Sequence, residues 1–479
     1  MTAESMSPAS TPSVETGYSP HRRTALVLNG TGTAGAYHAG VVRALHEAGV
    51  KVDLVAGRGI GVVGAAFMSV DGAERLWASG GLWGGSSARR LYGWRTALRM
   101  AAWVLAVTLT VVLLPMVGVV VAAAVYPVAY LLRVLGVGGD VWLTMGFGQF
   151  VEWVFSPMIL PTWLPRGVVL GLVVLLGVLA AAAVRVWIRG GRRRRTRSGF
   201  WWALAGTPLD VLTARGWLAD GLWQLMRGAA SIARPGPTDL GQRFTDLLKE
   251  NLGQPGFREL LVVTHDLDAR RDLVFSLLGA GYDRPGAEPE DRVLERIDLA
   301  GEAQRHGFDA LAAALSLPAL TEPWPVRFGS RTVWRGETHR LCDRPGSIGR
   351  VLEEVARAGA EQVIFVSALA PPAGPRQLAP TRRDGRGRLG EALATLEATA
   401  ERDALLARRS HFKAAFEIRP VHNPVGPFDF GGCYDPRSDR MHTLAELQER
   451  GYDDGHQQFV GPVVGASGER IESAATSRP

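Results

Sequence analysis

From Met100 to Leu132 the chain carries no charged side chain, and from Gly167 to Val184 it carries none again. A helix crosses a bilayer with about 20 consecutive apolar residues, and uncharged runs this long are rare in soluble domains. The first run suits one tilted helix or a helix kinked at Pro115 or Pro127. Arg89, Arg90, Arg95 and Arg99 precede it. Arg185, Arg189, Arg192, Arg193, Arg194, Arg195 and Arg197 follow the second run, while the connecting segment 133–166 holds only Arg133 and Arg166. Its Trp142, Trp153 and Trp163 suit a membrane–water interface. Arginine outside the hairpin and little within it places both ends in the cytoplasm. The expectation is two spans, about 100–132 and 167–188, in a multi-pass integral protein of a bacterial cytoplasmic membrane with its globular part cytoplasmic.

Charge supports the same assignment. The formal net charge is +7, and nearly all the positive charge is arginine, since Lys51, Lys249 and Lys413 are the only lysines. Beside a span, the run Arg192, Arg193, Arg194 and Arg195 is expected to meet anionic lipid headgroups rather than nucleic acid. Cys342 and Cys433 are the only cysteines, too few and too far apart for a disulfide framework or a zinc site. No metal and no cofactor is expected. Residues 1–22 are rich in Ser, Thr and Pro and are expected to form a disordered tail, and 466–479 a loose one. The insertion takes 86–198, so the globular domain is split into 23–85 and 199–465.

That domain reads as α/β. Apolar runs such as Thr24–Asn29, Val52–Ala56, Glu259–Thr264 and Gln362–Ala368 suit buried strands and alternate with helical patterns. A parallel sheet covered on both faces follows. Thr332–Gly336 is expected to be a short strand and turn, and Val62–Trp77 one helix. Two glycine-rich turns, Gly30 to Gly35 and Gly57 to Gly61, would lie at the carboxyl ends of neighbouring strands, where open α/β sheets bind ligands. Gly30, Gly32 and Gly35 match a dinucleotide fingerprint, but Asp53 opens its strand and so lies at the wrong end to hold a ribose. The second turn, Gly57-Arg58-Gly59-Ile60-Gly61, has the outline of a nucleophile elbow, with glycine at the middle position. The first turn would then aim backbone N–H groups at an oxyanion.

The stretches LNGTGTAGAYHAGVVRAL and VDLVAGRGIGVVGAAF, with Phe308–Val326 and Thr332–Ala368 further on, resemble the patatin-like phospholipases. The resemblance covers 24–80 and roughly 200–370 and omits the hairpin. It implies a patatin-like three-layer domain with a parallel sheet, an oxyanion loop of Gly30, Thr31, Gly32, Thr33 and Gly35, an elbow flanked by Gly57 and Gly61, and a Ser–Asp dyad acting on lipid acyl esters. The departures bear on the chemistry. Gly59 stands at the nucleophile position, and the alignment puts Arg335 at the Asp position and Ala34 in place of the loop's arginine. Glycine, with no side chain, cannot form an acyl-enzyme, and arginine is no general base. The expectation is a membrane protein that binds or acts on lipid with an impaired catalytic set. The alternatives are an acyl hydrolase with a rearranged set, using Glu337 or Asp343, and a nucleotide-binding protein using the Gly30–Gly35 loop.

Overall fold

The computed structural model describes residues 17–136, 140–158, 164–189, 206–228, 230–279, 292, 294–330, 332, 334–374, 384–435 and 437–464. The tails, most of the segment 280–293 and Arg192 to Arg195 lie outside the described residues. The chain forms two units, residues 1–93 with 210–479, and residues 94–209.

The first unit is built on a mostly parallel sheet. Strands β1 (Thr24–Gly30), β2 (Leu54–Gly59), β3 (Glu259–Asp266), β4 (Arg271–Leu277) and β5 (Arg296–Asp298) come first. Then follow β6 (Trp324–Arg327), β7 (Thr338–Cys342), β8 (Gln362–Ser367) and β9 (Ala414–Ile418). The order is β5-β4-β3-β2-β1-β8-β9, with β7 paired to β3 and β6 to β7. β1 lies parallel to both β2 and β8, while β4 and β7 run antiparallel to β3. A separate hairpin joins β10 (Cys433–Asp435) and β11 (Arg440–His442).

Every residue of β1, β2 and β8 is buried, because helices cover both faces. Ala25 and Val27 of β1, Leu54 and Ala56 of β2 and Phe365 of β8 pack against Ile348, Val351 and Val355, together with Ala404. Alternate residues face the other way, where Leu28 meets the glycines of the helix after β2.

The helices of this unit are α1 (Ala34–Glu47), α2 (Gly61–Ser69) and the short α3 (Glu74–Trp77). α1 stops at Gly49, whose φ of +66° completes a left-handed cap, with Val50 N–H bonding Leu45 O at 2.9 Å. Asp71 at φ +53° and the Gly72 N–H bond to Phe67 O divide α2 from α3, where one helix is expected from the sequence.

The second unit holds α4 (Thr96–Val134), α5 (Asp140–Val154) and α6 (Leu164–Arg189). The apolar runs lie inside α4 and α6, and α5 is a helix the sequence pattern did not single out. Thr96–Leu114, Met116–Val134 and Pro165–Val184 are each long and apolar enough to cross a membrane. The unit's ends are tied together: Trp94 bridges Leu209, and Arg95 N–H donates to Pro208 O at 3.1 Å.

Back in the first unit come α7 (Leu212–Arg227), α8 (Pro237–Asn251), α9 (Gly307–Ala314), α10 (Ile348–Arg357), α11 (Gly385–Arg408) and α12 (Leu444–Gly455), which continues as a wider π-type winding to Val464. α11 is capped by Asp384, whose carboxylate accepts from Gly387 N–H at 2.8 Å. α12 packs on α1 at backbone contact: a methyl group on Gly40 would stand 1.8 Å from Gln448 O.

Two expectations are corrected. The strand β2 runs on through Gly57 and Arg58 and ends at Gly59, which turns the chain at φ +56° ahead of α2. Trp334, Arg335 and Gly336 form the turn that joins β6 to β7, and the strand begins at Thr338.

Candidate functional site

β1, β2 and β8 end level at the carboxyl edge of the sheet. The pairing register sets Arg58, Asn29 and Ser367 side by side in one row across the three strands. Apolar residues precede them on that face, so three polar side chains enter a dry layer together and need partners.

The partners come from α11. Glu397 and Glu401, four residues apart, project from one face of that helix onto the row. Asn29 Nδ2 and Ser367 Oγ donate to the same Glu401 oxygen at 2.9 and 2.7 Å. Arg419 Nη2 donates to the other at 2.9 Å. Arg58 Nη2 and the Thr31 hydroxyl both donate to Glu397. Arg58 also grips Asp343 with two bonds of 3.1 Å, Nε to Oδ1 and Nη2 to Oδ2. Arg58, Asp343 and Glu397 are 0, 1 and 2 % exposed. Burial pushes the carboxyls of Asp343, Glu397 and Glu401 up, that of Asp343 to about 6 against the pull of Arg58.

The two glycine segments do come together, but they are closed. Gly59 has φ +56°, and a methyl group there would stand 2.3 Å from Gly30 O and 3.0 Å from Asp343 Oδ2. That carbonyl accepts the Ile60 N–H at 2.9 Å. In an elbow site, the amide after the nucleophile would serve the oxyanion. The loop is covered from the other side by the segment at 426–427. Thr33 donates its N–H to Pro427 O at 3.1 Å and its hydroxyl to Gly426 O at 2.8 Å. A side chain on Gly32, at φ +61°, would stand 1.8 Å from Pro427 O. Behind this cover Phe428 and Phe430 pack on Tyr92, whose hydroxyl donates to Leu315 O at 2.8 Å. Gly57 and Gly61 relieve crowding at the turn: a methyl on Gly61 would meet Leu28 O at 2.0 Å. Gly35 lets the Trp83 ring lie on α1. Beneath the loop His38 is buried, with Nε2 on Asn29 O at 3.1 Å, and burial lowers its pKa to about 4, so the ring stays neutral.

Asp343, not Arg335, stands beside Gly59. Asp343 follows the carboxyl end of β7, while Arg335 is exposed in the turn before that strand, at φ +43°. The strand between them spans roughly 16 Å. Glu337 lies at that far end too, exposed, with its carboxylate 3.1 Å from His339 Nε2. Neither Arg335 nor Glu337 belongs to this group of residues. Asp53 accepts the Thr24 N–H at 2.9 Å at the amino-terminal edge, remote from the glycine loop.

Sequence reasoning passed over Arg58, Asn29, Ser367, Glu397, Glu401 and Arg419. Only Arg58 left a signal: a charged residue closing an otherwise apolar buried strand requires a buried counter-charge. A cavity of about 1230 Å³ lies at the opposite, amino-terminal edge, near Lys51, Asp53 and Glu259. Among its charges, Lys51 pairs with Asp53 at 3.2 Å and Arg296 with Glu354 at 2.9 Å, while Lys249 and Arg258 donate to backbone carbonyls. Among the described residues no cluster of His, Cys, Asp or Glu is arranged to hold a metal ion.

No family model and no curated protein matches this chain. Among solved structures, VipD from Legionella pneumophila superposes over 93 % of this chain and 67 % of its own, at 13 % identity and a TM-score of 0.31. A likeness that loose carries no argument about fold or activity.

Proposed function

We propose that this protein is a membrane-inserted α/β protein of patatin-like descent whose hydrolase site has become a closed polar core. It engages lipid through its inserted helices and does not cleave esters. One observation carries the reading: the space a nucleophile would need at position 59 is taken by the Gly30 carbonyl, which also consumes the Ile60 N–H. With no hydroxyl at the elbow and that amide spent, the elbow supports no acyl-enzyme and offers no Ile60 donor to an oxyanion. The apolar helices of residues 94–209 and the arginines flanking them supply the attachment to an anionic membrane, with the globular unit on the cytoplasmic side.

The second reading is an acyl hydrolase with a rearranged set. It is favoured by the Asp343 carboxylate beside Gly59 and by the Thr31 hydroxyl bonded to Glu397. One experiment separates the two. The purified full chain is assayed on phospholipid and nitrophenyl esters, treated with a fluorophosphonate probe, and floated with anionic vesicles. The expected result is flotation with neither turnover nor labelling. Turnover abolished by Thr31→Ala or Asp343→Asn would establish the hydrolase, and failure to float would remove the membrane role.

A further inference from the structure

The three apolar windows pose a geometric problem. α4 has 39 residues, about 58 Å of helix against a hydrocarbon core of about 30 Å. Lying wholly inside that core would tilt it by roughly 60°, beyond the range of about 0–40° that transmembrane helices adopt. Three crossings are excluded by a separate fact. Trp94 and Leu209, at the two ends of the insertion, are bridged to each other, so the chain leaves and returns on one side.

The contacts within the unit divide it into two successive helix pairs. Gly171 lies against Thr108 and Gly167 against Val111, so Thr96–Leu114 and Pro165–Val184 run antiparallel with their ends level. This pair is about 28–30 Å long, one bilayer core. Beyond it, Gly118 lies by Phe155 and Tyr126 packs edge-on to Phe147, so Met116–Val134 pairs with α5. The two pairs differ in chemistry. The first exposes Trp103 as its single large aromatic among the described side chains. The second exposes Tyr126, Tyr130, Trp142, Phe150 and Trp153, with Phe155 just beyond it, and α5 also exposes Glu152. Tyrosine and tryptophan collect at headgroup depth, and a carboxylate is costly at the bilayer centre.

Building on the membrane reading above, we infer that the insertion crosses the bilayer twice, by Thr96–Leu114 and Pro165–Val184. The distal pair, Met116–Val134 with α5, lies along the far headgroup layer as an interfacial clamp. The junction falls at Pro115, where the missing N–H makes a helix bend inexpensive. The partner is a lipid surface, gripped from its core by one pair and from its far leaflet by the other.

The test is a depth scan on the full chain with Cys342→Ala and Cys433→Ala, in phosphatidylcholine–phosphatidylglycerol vesicles. Nitroxides are placed through Leu105→Cys, Val173→Cys, Val128→Cys and Met145→Cys and read by oxygen against nickel-chelate accessibility. The first two should sit near the midplane and the last two at headgroup depth. Gly136→Cys and Arg22→Cys should react with an impermeant maleimide from opposite faces. Val128 and Met145 as deep as Leu105, or both free in water while Leu105 is deep, would overturn the clamp. Gly136 and Arg22 labelled from one face would overturn the two crossings. If Leu105 and Val173 are themselves in water, the membrane reading fails instead, a distinct outcome.

Discussion

Replacing Gly59 by serine supplies the residue an elbow needs, yet the geometry argues that it disrupts the fold before it can create an enzyme. Two costs add. At φ +56° a residue with a Cβ bears strain of roughly 1–2 kcal/mol. The new Cβ would also lie 2.3 Å from Gly30 O, a backbone atom that can yield only if β1 shifts at its end. Such overpacking costs about 1–3 kcal/mol, and the loss of the Ile60 N–H to Gly30 O bond about 1 kcal/mol more. The sum, on the order of 3–6 kcal/mol, is a large share of the ~5–15 kcal/mol that holds a typical domain. Gly80→Ser is the control, because Gly80 has φ +82° but nothing within 4 Å of an added methyl. It should lose only the strain, ~1–2 kcal/mol. Thermal unfolding of both variants in detergent, followed by intrinsic tryptophan fluorescence, isolates the overlap with the carbonyl. Fluorophosphonate labelling of the same samples reports any new nucleophile. If Gly59→Ser melts with the wild type and takes up the probe, the site is open and the reasoning is wrong.

Three further outcomes follow from the closed site. Arg58→Met leaves the carboxylates of Asp343 and Glu397 buried without their cation and should destabilise by about 3–5 kcal/mol, with part recovered on adding Glu397→Gln; a loss under ~1 kcal/mol in denaturant melts would contradict the network. Burial raises the Asp343 carboxyl from 3.8 to about 6, so the folded state binds that proton more tightly than the unfolded state. Its contribution is fully present below the unfolded value and is lost as pH rises through the folded one, on the order of 3 kcal/mol in all. Stability of the wild type relative to Asp343→Asn should therefore fall between about pH 4 and pH 6, and a flat difference would refute it. The amides of Ile60 and Thr33 are spent on Gly30 O and Pro427 O, so both should be strongly protected in hydrogen exchange, and rapid exchange at either would mean an open oxyanion loop.

The central strands were legible because both faces are covered. ALVL within TALVLN and VIFV within QVIFVSA are apolar without a break, short and rich in β-branched residues, as a strand buried on both faces requires. β7 was not, since Thr338-His339-Arg340-Leu341-Cys342 is short and half exposed, with a mixed pattern that resembles a loop. The resemblance puts Arg335-Gly336 at the Asp-Gly turn, whereas the carboxylate beside Gly59 is set by where β7 ends, and there Asp343 is followed by Arg344 and Pro345. Asp343 is one of the two substitutes the sequence offers, and only the end of β7 tells it from Glu337. Glu397 and Glu401 were hidden for another reason: acidic residues on a long helix usually face water, and these are buried only because Arg58, Asn29 and Ser367 await them. The partner of a buried charge is a tertiary fact, set by register across three strands.

Arg58 and Gly59 act as one unit in this packing. An elbow that keeps its nucleophile must keep open space above the strand ends. Once a guanidinium enters that layer it must be matched at once by buried acceptors, here Asp343, Glu397 and the Thr31 hydroxyl. Of those acceptors Glu397 ties α11 to the sheet, and Asp343 holds Arg58 by two bonds. With the crevice filled, the Gly30 carbonyl turns onto the Ile60 N–H, a bond that tolerates only glycine at position 59. Opening the site would therefore require replacing the arginine, freeing Glu397 and turning the Gly30 carbonyl together. No single substitution does all three, and the catalytic silence proposed for this chain rests on the packing of its core as much as on the missing hydroxyl.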